Sequence, residues 1–235
     1  MTSGMEALLR DGLTSLGLPA DAAGAMTRYA ELLLERNQVM NLTAITKPDE
    51  VARLHFLDSC ALTAFTDFHG KRVIDVGTGA GFPGLPLRIA EPSVKLTLLD
   101  AQRKRVDFLK EVCGALGLAD VECVQGRAEE YAAGHREGYD IALSRAVAAL
   151  PVLTELCLPL VRTGGTFLAM KSVNCDAELS GAKRAIETLG GEVGKVSDYC
   201  IPGCDVPRRV IEIVKVRPTP PAYPRAFARI KKNPL

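Results

Sequence analysis

Tryptophan is absent from this chain of 235 residues, and aromatic side chains of every kind make up only 5% of it. A deep aromatic pocket closing over a small organic substrate is therefore not expected. No apolar run approaches the roughly 20 residues that a membrane-spanning helix needs. The opening stretch MTSGMEALLRDGLTSLGL has charges inside its apolar pattern and lacks the uninterrupted core of a secretory signal. The expected location is cytoplasmic, with no membrane partner. The seven cysteines are odd in number and irregular in spacing. Cys200 and Cys204 are neighbours, but no second Cys/His pair stands near them to complete a zinc site. No metal is expected, and the cysteines read as small hydrophobes. Internal repeats and low-complexity segments are missing too, and nothing calls for an obligate protein partner.

What is present is the balance of an ordinary globular domain, 47% hydrophobic and 24% charged. The length suits one large domain, or one with a modest appendage. The charge is uneven. From Pro207 onward Arg208, Arg209, Lys215, Arg217, Arg225, Arg229, Lys231 and Lys232 face Glu212 alone, so the rest of a chain of net charge +1 is mildly acidic. That layout suits a polyanion docking at one end, and equally a solvated tail.

The first ~65 residues read as helical. Ala25, Met26, Tyr29, Leu32, Leu33 and Val39 recur at helix spacing after Pro19 and Asp21, and a second helix is expected from Asp49 to about Phe65. After Gly70 the texture changes. Strands are expected at Lys71–Val76, Val94–Leu99, Val121–Val124, Tyr139–Leu143 and Thr166–Ala169. Helices such as Arg103–Leu116 and Leu150–Val161 lie between them, and another closes over Gly181–Leu189. This alternation implies a parallel sheet covered on both faces. Two late strands, near Val193–Ile201 and Arg209–Val216, suit antiparallel pairing, and the proline-rich Arg217–Pro224 is expected to be extended.

The strongest local signal runs from Val73 to Gly84, VIDVGTGAGFPG, an apolar strand ending in glycines and then a helix. Glycines there let the backbone turn sharply and approach a ligand at the carboxyl end of the first strand. Gly79, Gly81 and Gly84 match the dinucleotide pattern, so an NAD-dependent oxidoreductase is one reading, but such a match alone is weak. Asp75, two residues before Gly77, suits the cationic amino-acid end of S-adenosylmethionine better than a pyrophosphate. Asp100 ends the second strand, placed for ribose hydroxyls or, more plainly, as the cap of the next helix. Together the two carboxylates favour adenosylmethionine. Past the third strand comes QGRAEE, residues 125–130. A residue there suits a contact to adenine, yet Glu129 and Glu130 equally suit a helix first turn, and spacing leaves the two open.

With these stretches in hand, the chain resembles the glucose-inhibited division protein B family, methyltransferases of guanine N7 in small-subunit ribosomal RNA. The resemblance rests on Asn41-Leu-Thr43, His55-Phe-Leu-Asp-Ser59, Asp75 to Gly84, Leu99-Asp100 with Lys104-Arg105, Arg127-Ala-Glu129, Ser144-Arg-Ala-Val147 and the basic end Tyr223 to Leu235. It spans nearly the whole length. It implies an α/β, Rossmann-like class I methyltransferase fold: a mostly parallel sheet of about seven strands with a helical N-terminal extension. The organisation that follows is an extension over 1–69 with substrate contacts, an adenosylmethionine-binding domain over 70–217, and a basic tail over 218–235. The implied partner is small-subunit (16S) ribosomal RNA, naked or in a subunit particle. The implied cofactor contacts are Gly77 and Phe82 in the loop, Ala128 and Glu129 after the third strand, and Arg145 after the fourth, joining Asp100. One departure is that Leu54 precedes His55, with Arg53 one place further back, where some relatives carry a basic residue directly before the histidine.

The chemistry implied needs little from the protein. The cofactor carries an activated methyl, guanine N7 has an unprotonated lone pair, and the remaining task is alignment. No general base or nucleophile is expected, so no catalytic residue is singled out. The fourth strand ends Ala142-Leu-Ser-Arg145, without the Asn/Asp-Pro-Pro-aromatic motif of amino-group methylation or the Pro-Cys of cytosine C5 methylation. Arg145 is expected to order the cofactor and the mouth of the site. Because N7 is inaccessible inside an A-form helix, the target guanine belongs in a loop or must unstack. Arg53, His55 and the basic end are candidate phosphate contacts, His55 being equally a packed helix histidine. Alternatives are a methyltransferase of another RNA, a protein or a small molecule, and an RNA-binding module without catalysis.

Overall fold

The computed structural model describes residues 2–145 and 148–235. Ala146 and Val147, the last two residues of the Ser144–Val147 stretch, lie outside it. The chain opens with α1 (Thr2–Ser15) and α2 (Ala22–Met40). A continuous helical run follows: α3 (Pro48–Val51), a π-helical turn Ala52–Leu57, α4 (Asp58–Cys60) and a 3-10 turn Ala61–Ala64. Then come β1 (Arg72–Val76), α5 (Gly84–Ala90), β2 (Lys95–Asp100), α6 (Arg103–Ala115), β3 (Glu122–Gln125), α7 (Ala128–His135) and β4 (Tyr139–Arg145). After α8 (Leu150–Cys157) and a 3-10 turn come β5 (Val161–Lys171), α9 (Asp176–Thr188), β6 (Gly191–Cys200), β7 (Pro207–Lys215) and α10 (Phe227–Lys232).

The seven strands form one sheet in the order β3-β2-β1-β4-β5-β7-β6. β1 to β5 are parallel, and β7 inserts antiparallel between β5 and β6. Strand order reverses between β1 and β4, which leaves a crevice at their carboxyl ends, the usual ligand position in open α/β sheets.

Side chains of a strand alternate between its faces, and both faces here are apolar. Val73, Leu96, Leu98, Ile141, Leu143, Leu168 and Val210 pack with α1, α2, the helical run after α2, α5 and α6. Ile74, Leu99, Ala142, Phe167, Ala169, Ile211 and Ile213 pack with α7 to α10. Met5, Leu9, Met26 and Leu33 of the first two helices thus share one core with the sheet.

Three segments depart from the sequence expectation. β5 starts at Val161, ahead of Thr166, because Gly164 (φ +82°) and Gly165 let the strand absorb a register shift between Tyr139 and Ile141. A Cβ at Gly165 would stand 2.5 Å from the Asp140 carbonyl oxygen. α9 starts at Asp176 and simply runs through Gly181. Arg217–Pro224 is not extended throughout. It turns where the Tyr223 N–H meets the Pro220 carbonyl (3.0 Å), and α10 then docks by Ile230, fully buried. Several basic residues of this end pair within the chain: Arg208 with Asp58, Arg209 with Asp176 and Asp198, buried Lys215 with Glu137, and Arg225 with Glu155. Arg229, Lys231 and Lys232 are exposed on α10.

Candidate active site

The loop between β1 and α5 is shaped by left-handed glycines, φ +71° at Gly77, +63° at Gly79 and +101° at Gly81. They differ in what they face. A Cβ at Gly81 would clash with the Tyr29 hydroxyl, so this glycine admits a side chain of α2 rather than a ligand. Tyr29 is wholly buried, donates to the Ala80 carbonyl and stacks with Phe82 at 5.4 Å between centroids. The N-terminal helices therefore hold the loop directly.

Asp75 corrects the sequence reading. It is fully buried, its Oδ2 accepts from the Thr78 hydroxyl and the Gly84 N–H (both 2.8 Å), and it does not line the crevice. Burial lifts its pKa to about 6. This carboxylate pins the loop instead of meeting a ligand's amino group. Asp100 does face the crevice. Its oxygens accept from the N–H of Gly79 (3.0 Å) and of Gln102 (2.8 Å), with the Arg105 guanidinium 3.5 Å away. Gln102, not Asp100, occupies the N-cap position of α6, and its side chain makes no cap bond.

Across the crevice, Arg145 ends β4 and reaches back to the N-terminal helices. It donates to the Leu54 carbonyl (3.0 Å), to Asp58 (3.3 Å) and to Nδ1 of His55 (3.0 Å), and lies 5.2 Å over the Phe82 ring. Asp58 also accepts from the Tyr199 hydroxyl at 2.8 Å. A guanidinium only donates, so Nδ1 of His55 is the acceptor and the proton sits on Nε2, bonded to the Thr43 hydroxyl oxygen at 2.8 Å. Burial and the neighbouring Arg145 lower the His55 pKa to about 3. His55 is held neutral and packed on Phe82 at 4.5 Å, as the reading of it as a packed helix histidine expects. Arg53 is also engaged, donating to the Gly203 carbonyl.

Two cavities adjoin here. A cleft of about 500 Å³ is lined by Thr43, His55, Gly79, Phe82 and Arg145. A smaller slot of about 140 Å³ is lined by Gly126, Ala128, Glu129, Leu156 and Phe227. Gly77 and Asp100 line both. All six residues expected from the sequence stand around this pair of cavities.

A family model described as rRNA small subunit methyltransferase G matches residues 23–202. A curated relative from Alkaliphilus metalliredigens, named Ribosomal RNA small subunit methyltransferase G, is 45% identical over 97% of this chain and 98% of its own. A relative of the same name from Acetivibrio thermocellus is 44% identical over 97% and 96%.

The chain belongs to this family.

As a small-subunit rRNA methyltransferase G family member it is an adenosylmethionine-dependent methyltransferase of ribosomal RNA. Solved structures agree at the level of fold. A SAM dependent methyltransferase from Aquifex aeolicus, 19% identical, superposes with a TM-score of 0.55 over 74% of this chain and 97% of its own. TYW2 from M. jannaschii, solved in complex with AdoMet, is 11% identical with a TM-score of 0.54 over 68% and 75%. No helix among the described residues is long and apolar enough to cross a membrane.

For this methyltransferase the sequence reading missed Thr43 as a cavity residue, although its Asn-Leu-Thr stretch carried part of the resemblance. It missed Asp58 and Tyr199 as the support of Arg145, and Phe227 as a wall of the slot. Nothing in local spacing pointed to Tyr199 or Phe227, because each arrives by long-range packing.

Proposed function

We propose that the two cavities together bind S-adenosylmethionine and present its methyl group to N7 of a guanine in 16S ribosomal RNA. The observation that carries this is the convergence of Gly77, Phe82, Asp100, Ala128, Glu129 and Arg145 on one crevice at the carboxyl ends of β1 to β4. The residues present fit the cofactor. The slot, walled by Leu99, Ala128 and Leu156 with Glu129 at its edge, takes a flat base having one polar side. Asp100, common to both cavities, accepts from ribose hydroxyls. Backbone at Gly77 and Gly79 and the guanidinium of Arg145 face the larger cleft, where the amino-acid end belongs. Leu54, Asp58 and His55 use three of the five Arg145 N–H donors and fix the fork in place.

When bound, adenosylmethionine supplies a methyl already activated on a sulfonium, so no proton need leave the guanine first. The residues accordingly position rather than exchange protons. His55 holds its Nε2 proton against Thr43 and stays neutral, Asp75 is sealed under the loop, and Phe82 offers an apolar surface at the cleft. The N-terminal segment of residues 1–69, through Thr43 and His55, forms the substrate-side wall. The exposed Arg229, Lys231 and Lys232 supply phosphate contacts.

Incubating the protein with methyl-labelled adenosylmethionine and either naked 16S RNA or small-subunit particles tests this. Label should enter the RNA, and borohydride reduction with aniline cleavage, which is selective for 7-methylguanine, should cut the chain at one unpaired guanine. Label that enters without any such cleavage would place the methyl on another atom and refute the N7 assignment.

A further inference from the structure

After β7 the chain passes the loop between α7 and β4, where the Arg136 guanidinium donates to the Thr219 and Tyr223 carbonyls, and then reaches α8. Glu155 of α8 waits there with no exposed surface. Arg225 meets it through its backbone N–H (2.9 Å), its Nε (2.8 Å) and its Nη2 (2.5 Å). A two-pronged, charge-assisted contact of this kind fixes orientation as well as position. On the far side Ile230 is buried in the same apolar cluster as Leu153 and Leu156. Between these two anchors stands Phe227, half-buried, its ring 4.8 Å from the Arg127 guanidinium carbon. That ring lines the slot together with Leu99, Ala128, Glu129 and Leu156.

We infer that Phe227 is a binding residue for the adenine of the cofactor, and that the strap from Tyr223 to Ile230 is a clasp closing the nucleobase end of the crevice. The inference rests on the cofactor placement proposed above. An aromatic wall accepts the face of a purine without demanding hydrogen bonds of its own. Arg127 holds that wall from one side and pairs with Glu129 at 3.5 Å, so the ring and the acidic edge of the slot are tied to one residue. The clasp also gives the basic end of the chain a task distinct from RNA contact.

Calorimetric titration of two ligands into the full-length protein tests the clasp. One is adenosylmethionine; the other is 5′-methylthioadenosine, which keeps base and ribose but lacks the amino acid. Phe227→Ala should weaken both by about tenfold, Phe227→Leu by about threefold, and Phe227→Tyr hardly at all. The leucine variant carries the test if the alanine variant does not fold. Unchanged affinity for both ligands would overturn the clasp, as would weakening of adenosylmethionine alone, which would place Phe227 at the amino-acid end. A wild-type protein that binds neither ligand would overturn the cofactor placement itself.

Discussion

His55 is pressed against Phe82 while the Arg145 guanidinium donates to its Nδ1, so adding a proton would bury one cation beside another. Its pKa of about 3 lies below the 6.5 expected of an unfolded chain. A depressed pKa means that the stabilisation is full above 6.5 and is lost as pH falls toward 3. At about pH 5 the loss is about 2 kcal/mol relative to neutral pH. Urea unfolding of wild type and His55→Gln at about pH 5 and about pH 7.5 should show that difference in slope, with the glutamine variant flatter. Asp75, raised to about 6, works in the opposite sense but is common to both proteins and cancels. Thr43→Val should cost about 1–3 kcal/mol by stranding the His55 Nε2–H, which the same unfolding measurement reads. In the sequence these residues were legible as types but not as partners. Asp75 sits in a strand buried on both faces, where alternation cannot say which carboxylate faces a ligand. Asp100, at the end of the adjacent strand β2, does.

At the scale of elements, the glycine loop was read correctly as a turn from strand to helix, but the pattern could not say what each glycine faces. Gly81 meets Tyr29 and Leu109 and has φ +101°. Gly81→Ala should therefore destabilise the protein by about 3 kcal/mol, through overpacking joined to backbone strain. Gly79 has φ +63° and nothing nearer to its absent Cβ than the Gly77 carbonyl at 4.0 Å. Gly79→Ala should cost about 1–2 kcal/mol from backbone strain. Thermal unfolding of the two variants side by side separates packing from strain. The strands of the parallel half were legible because each is a short apolar run stopped by a turn. The start of β5 was not, since the glycine pair that lets it shift register against β4 is also what hides it as a strand.

Over the whole molecule, the reversal of strand order between β1 and β4 opens the crevice, and the N-terminal helices close one side of it. Tyr29 and His55 both stack with Phe82, so the first 69 residues and the sheet meet at the loop itself. The charge asymmetry of the sequence is real, but four of its eight basic residues, Arg208, Arg209, Lys215 and Arg225, are engaged in internal ion pairs, which composition cannot reveal. RNA affinity should still fall with salt. Replacing Arg229, Lys231 and Lys232 by glutamine should flatten the dependence of log affinity on log salt by about 1–2 units, as filter binding across a salt series would show. Arg145 joins the fourth strand to the N-terminal helices, and its proposed role is to hold the cofactor from there. Titration calorimetry of adenosylmethionine into wild type and Arg145→Met tests that junction most directly. The expected result is saturation at one cofactor per chain in the wild type and affinity about tenfold or more weaker in the variant. Equal affinity in the two proteins would contradict it.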